Sequence, residues 1–183
     1  MSILPTPGQT VGPFFGYALP YDDGPRLVPA HVQGAVQLHG TVYDGAGAPV
    51  PDAIVEIWQP GADGLPPTAR GSLRRDGRTF TGFGRCATRD DGSYAFTTLV
   101  PGEGVVGGAP FIAVVLFARG LMNKLHSRIY LPQHSSLNAA DPFLSGLSPS
   151  ERSSLVAVQE ADESLRHDIR LQGERETVFL AFD

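Results

Sequence analysis

Pro110–Tyr130, PFIAVVLFARGLMNKLHSRIY, is the stretch from which the fold is read. Phe111–Ala118 is an unbroken apolar run, long enough for a strand buried on both faces. The short linker LMNK (121–124) separates it from a second β-type run, LHSRIYLP. The pair predicts two adjacent core strands. In the second, His126, Arg128 and Tyr130 fall at alternate positions, and side chains at i, i+2 and i+4 of a strand share a face. An imidazole, a guanidinium and a phenol on one face of an apolar hairpin have two readings. They form either the satisfied polar edge of a core strand or a site for an anion or a phenol.

Outward from the hairpin, short strands recur. AVQLHGTVYD (35–44) alternates, GAGAPVP turns, and DAIVEIWQP (52–60) alternates again, with Ile54, Glu56 and Trp58 on one face and Val55 and Ile57 on the other. Phe83–Arg89 and Ser93–Leu99 flank Asp90-Asp91-Gly92, a hairpin signal because glycine readily takes positive φ. LRHDIRLQG (165–173) and ETVFLAFD (176–183) predict two last strands. Ser148-Pro149-Ser150-Glu151 reads as an N-cap serine, a proline at the first helical position and a glutamate three residues after the cap. It predicts one surface helix running to about Ala161. The expectation is an all-β chain: a β-sandwich of at least seven strands with one surface helix and long loops, forming one domain over 1–183.

Residues 1–30 carry Pro5, Pro7, Pro13 and Pro20, which fix φ and remove amide donors, yet also Phe14, Phe15, Tyr17 and Leu19. They predict an N-terminal arm packed on its own domain or on another chain. Within it, Gln9–Pro13 is a turn whose hydroxyl and amides could touch a ligand.

Composition excludes several classes. Charged residues are 18% and the net charge is −5, so no basic footprint points to nucleic acid. Cys86 is alone, which rules out an intrachain disulfide and a cysteine-built metal site. No apolar run approaches a membrane span and the N-terminus has no signal-like apolar core, so a cytoplasmic location is expected. There is no phosphate-binding loop, nucleophile elbow or helical His pair with a glutamate. Asp90 and Asp91 suit turn chemistry better than acid–base work.

Five segments carry a family resemblance: GQTVGPF (8–14), LHGTVYDGAGAPVPDAIVEIWQPGADG (38–64), FGRCATRDDGSYAFTTLVPG (83–102), LFARGLMNKLHSRIYLP (116–132) and DIRLQGERETVFLAFD (168–183). With them the chain resembles the protocatechuate 3,4-dioxygenases, their iron-free α chains more than their iron-bearing β chains. The resemblance implies a β-sandwich and a share in intradiol cleavage of 3,4-dihydroxybenzoate with O2, at Fe(III), to 3-carboxy-cis,cis-muconate.

It also implies where this chain departs from iron-bearing relatives. Two histidine ligand positions fall on Phe111 and Ala113, and the first tyrosine position falls near Gly104. Only the second tyrosine survives, as Tyr130, a vestigial phenol. One phenolate cannot hold ferric iron. The expectation is therefore no metal and no catalytic residue in this chain, with Fe(III) bound by a homologous iron-bearing β subunit as partner. The resemblance assigns substrate binding to Thr10, Gly12, Pro13 and Arg128, at a cleft shared with that partner. His126 is expected to be structural. The other class of function left open is a β-sandwich binding or assembly module with no catalytic part.

Overall fold

The computed structural model describes residues 10–69, 75–104 and 108–182. Of the expected N-terminal arm, residues 1–9 lie outside the described residues, and with them Gln9 of the Gln9–Pro13 turn.

Two sheets face each other. The first is built from β1 (Ala35–Tyr43) and β4 (Ser93–Leu99), with the two-residue strands β7 (Val158–Gln159), β8 (Leu165–Arg166) and β9 (Ile169–Arg170). Its order is β4-β1-β8-β7, with β9 also on β1. The second has the order β3-β2-β5-β6, from β3 (Phe83–Ala87), β2 (Ile54–Trp58), β5 (Phe111–Phe117) and β6 (Leu125–Tyr130). Leu38, Val42 and Phe96 from the first sheet meet Val55, Ile57, Ile112, Val114 and Leu116 from the second in one buried core. The alternation in β5 is strict: Ile112, Val114 and Leu116 are buried while Phe111, Ala113, Val115 and Phe117 are half-buried. Period-two alternation sends one set inward and the other to the outer face.

β5 and β6 pair antiparallel as expected, in a register that sets Phe111 opposite Tyr130, Ala113 opposite Arg128 and Val115 opposite His126. Three expectations need correction. β3 and β4 are not a hairpin: β3 pairs with β2 and β4 with β1, in different sheets. The turn itself forms, with Gly92 at φ 73° and the Gly92 amide donating to the Arg89 carbonyl at 2.8 Å. It serves as a corner between layers, because inward Tyr94 and Phe96 and inward Gly84 belong to opposite walls of the core.

The single helix is instead four short ones: α1 (Phe15–Ala18), α2 (Ser135–Ala140), α3 (Pro142–Ser145) and α4 (Pro149–Ser153). α4 has its capping box, Ser148 with Glu151, but stops at Ser153. Beyond it Leu155 and Ala157 are buried while Val158 is exposed, the period of a strand, and this segment bonds along Tyr130. Finally, the last predicted strand, 176–183, is not regular over its described residues 176–182. Leu180 makes one bridge to His126, its amide donating to the His126 carbonyl at 2.8 Å.

The N-terminal segment splits. From Gly24 onward it is laced to both sheets: the Arg85 amide donates to the Gly24 carbonyl (3.0 Å) and the Leu27 amide to the Thr97 carbonyl (2.8 Å). Phe15, Leu27 and Val28 are buried, whereas Phe14 and Tyr17 are 74% and 88% exposed.

Candidate functional site

The outer face of β5–β6 holds the candidate site. Tyr130 is fully buried there, in a satellite core with Ala109, Leu144 and Leu155, against which Phe111 and Phe143 pack. The helical segment from α2 to α4 thus covers this end of the sheet. Tyr130 and Phe111 rings lie 5.7 Å apart, as their paired register dictates. The Arg128 Nη1 donates to the Tyr130 hydroxyl at 3.1 Å. Its guanidinium carbon lies 4.3 Å from the Phe111 ring centroid and 4.9 Å from that of Phe143, both within cation–π range. Burial pushes the Tyr130 phenol above its usual range, and the Arg128 hydrogen bond and charge work against that rise.

Asp141 anchors the cover. Its Oδ1 accepts from the amides of Phe143 and Leu144, capping α3, and its Oδ2 accepts from the Ala109 amide, each at 3.0 Å. Sequence reasoning did not single out Asp141 or Phe143. The signal was present: Asp141-Pro142 repeats the cap-then-proline pattern that marked Ser148-Pro149.

His126, although on the same face, takes no part in this cluster. Its ring stands edge-on to Phe182 at 5.0 Å, and partial burial, with Lys124 nearby, lowers its pKa.

The other expected residues lie at the far end of the hairpin. Thr10 and Pro13 are exposed, and Gly12 takes φ +84°, a conformation that calls for glycine. Val11, between them, lines a cleft of about 290 Å³ with Phe117, Ala118 and Leu121–Lys124, next to the β5–β6 turn. Arg128 and Tyr130 face Ala113 and Phe111 at the opposite end. No hydrogen bond among the described residues joins the two groups.

The residues at the would-be metal position do not fit iron. Phe111 and Ala113 have no donor atom, Gly104 is an exposed loop residue, and the remaining phenol oxygen accepts from a guanidinium. A cation already hydrogen-bonded to Tyr130 opposes a second one there. Among the described residues no three His, Cys, Asp or Glu side chains converge on one point.

The family model for dioxygenases matches residues 11–173. The chain belongs to the intradiol dioxygenase family. Among curated members, it is 37% identical over 190 residues to the protocatechuate 3,4-dioxygenase alpha chain of Burkholderia cepacia, covering 95% of both chains. It is 37% identical over 203 residues to the alpha chain of Pseudomonas putida, covering 100% of this chain and 99% of that one. The B. cepacia beta chain is similar over a shorter stretch, 32% identical over 130 residues, with 67% of this chain and 54% of that chain covered. Among solved structures, the dioxygenase domain of a dioxygenase–carbohydrate-binding fusion from Streptomyces sp. SirexAA-E superposes with TM-score 0.58 at 24% identity, over 91% of this chain and 96% of that one. At such identity the superposition speaks for the family fold alone. No helix among the described residues is long and apolar enough to cross a membrane.

Proposed function

We propose that this chain is the iron-free subunit of a hetero-oligomeric intradiol dioxygenase that cleaves 3,4-dihydroxybenzoate with O2 to 3-carboxy-cis,cis-muconate. Fe(III) belongs to a homologous partner chain, and this chain contributes to substrate clefts shared with partner chains through Arg128 at one end of β5–β6 and through the Thr10, Gly12 and Pro13 turn at the other. The observation that carries the reading is the β5–β6 register: Phe111 and Ala113 stand opposite Tyr130 and Arg128, so the face that would hold a metal carries a ring, a methyl and a guanidinium. Near-full-length similarity to alpha chains, against two-thirds coverage by a beta chain, supports it.

Within its cleft Arg128 meets the substrate carboxylate, for which a planar guanidinium with several donors is well matched. Its role is to bind and orient; the iron of the partner supplies the oxygen chemistry. Two measurements test the assignment. The chain purified alone is expected to be colourless and iron-poor, and to leave 3,4-dihydroxybenzoate intact; one tightly held iron per chain with ring cleavage overturns it. In the complex, Arg128→Ala is expected to lower kcat/KM for 3,4-dihydroxybenzoate about ten- to a hundredfold, mostly through KM, since a hydrogen bond to a charged group contributes roughly 1.5–3 kcal/mol. Catechol, which lacks the carboxylate, is expected to change little, and the iron colour to stay.

A second reading is an assembly module with no contact to substrate. Arg128's hydrogen bond to Tyr130 within its own chain favours it. Equal losses on both substrates in the Arg128→Ala complex would decide for that reading.

A further inference from the structure

Arg128 is held from two directions, and both supports trace back to one carboxylate. Asp141, 5% exposed, ties the Ala109 amide with one oxygen and the Phe143 and Leu144 amides with the other. Two residues beyond each anchor comes an aromatic ring: Phe111 after Ala109, Phe143 after Asp141. Those are the two rings over which the guanidinium lies, at 4.3 and 4.9 Å. The Tyr130 hydroxyl, taking one Nη1 hydrogen at 3.1 Å, supplies a third fixed point. Guanidinium N–H groups lie in one plane, and Tyr130 takes one of the five, so fixing that plane fixes where the remaining donors can meet an acceptor.

We propose that Asp141, Phe111 and Phe143 are positioning residues that set the plane of Arg128 and so determine selectivity for catechols bearing a planar anionic group. A free arginine loses rotamer freedom on meeting a carboxylate; one already ordered by its neighbours loses less and binds more tightly. The planar anion gains from that order, and a catechol without one does not. This inference rests on Arg128 facing substrate in the assembled enzyme.

The test uses the complex co-expressed with its iron-bearing chain, with KM and kcat measured for 3,4-dihydroxybenzoate and for catechol. Phe143→Leu, which removes the ring and keeps apolar volume, is expected to raise KM for 3,4-dihydroxybenzoate roughly three- to tenfold. Its kcat, its iron absorption band and its catechol kinetics are expected to stay at wild-type values. Phe143→Tyr, which keeps a ring, is expected to retain the wild-type KM. Asp141→Asn keeps a capping oxygen but gives up the acceptor for the Ala109 amide; it is expected to shift KM in the same direction, and it reads the same quantity if Phe143→Leu assembles poorly. An unchanged KM, or an equal loss on both substrates, overturns the proposal. Arg128→Ala run in parallel separates the two levels. If that variant leaves discrimination intact, the substrate-facing reading of Arg128 fails. If it abolishes discrimination while Phe143→Leu and Asp141→Asn preserve it, only the positioning role fails.

Discussion

Arg128 shows how one substitution pattern rewrites a residue's surroundings. Phe111 and Ala113 bring a ring and a methyl to this face, so the guanidinium finds ring faces and a phenol as its neighbours. His167 is a second residue with a measurable signature. It is 4% exposed, its Nε2 lies 3.0 Å from the Ser154 carbonyl oxygen, and its Nδ1 has no partner among the described residues. Burial pushes its pKa down to about 4, against the pull of Asp168. The unfolded imidazole takes its proton near 6.5. Between those values the unfolded chain binds more protons, so stability is complete above about pH 6.5 and falls as pH drops toward 4. Urea unfolding is expected to show a loss of roughly 2 kcal/mol from this group between pH 7 and 5. His167→Gln, which keeps an amide donor for Ser154, is expected to flatten that slope; an identical slope in both proteins would assign the loss elsewhere.

At the scale of elements, the strands of the central hairpin were legible because burial on β5 follows period two without interruption, and β6 keeps that period from Ser127 to Ile129 until the helical cover buries Tyr130 as well. The helix after Ser148 was legible at its start, where capping chemistry is local. Its end was not, because Leu155, Val156 and Val158 fit a helical stripe and a strand equally well over so few residues. Tertiary pairing with Tyr130 decided it: the Tyr130 amide donates to the Leu155 carbonyl at 2.8 Å. The Phe83–Leu99 region misled for a related reason, since a tight turn specifies a reversal of direction but not which sheet each arm joins. The Arg128 support was hidden because it joins Ala109 to Asp141, a pairing that no local pattern encodes.

One close approach between elements yields a sharp test. Gly40 on β1 faces the His167 carbonyl so closely that a Cβ would overlap it, with the Tyr94 hydroxyl 3.1 Å away. That hydroxyl itself donates to the same carbonyl at 2.5 Å. Gly40→Ala is therefore expected to destabilise by about 1–3 kcal/mol or more, read as a lowered Tm. Gly16→Ala on α1, where nothing stands within 4 Å of the new methyl, is expected to be neutral or slightly stabilising. If the two variants melt together, the crowding at Gly40 is relieved by backbone shift.

Across the whole molecule, the apolar surface that packing leaves uncovered is concentrated in a few large side chains. Phe14, at the N-cap of α1, and Tyr17 within it stand 74% and 88% exposed, and Trp58 is 45% exposed on β2. Phe15 between them is buried, and the Leu19 carbonyl accepts from Arg85 Nη1 at 2.6 Å. Removing the whole arm would therefore damage this chain's own packing along with any interface. Phe14→Ser with Tyr17→Ser is the cleaner probe. The isolated double variant is expected to melt within about 1 °C of wild type, because singly exposed side chains contribute little to folding. Its complex with the iron-bearing chain is expected to dissociate at lower dilution, since aromatics are enriched at interfaces. A large drop in Tm with unaltered assembly would place these rings in the fold instead.

The first sheet closes only when distant parts of the chain arrive. β1 is flanked on one side by β4 and on the other by β8 and β9, with Leu38 beside Leu165 and Val42 beside Ile169 in parallel register. During synthesis that flank waits, its amides and carbonyls unpaired, until residues 165–170 have left the ribosome. Parallel pairing over so long a loop is slow to form, and an open strand edge invites pairing with another chain. Refolding from urea is thus expected to lose yield steeply with rising protein concentration, and fragments ending near residue 160 to aggregate where the full chain stays in solution. Light scattering during dilution from denaturant would measure both.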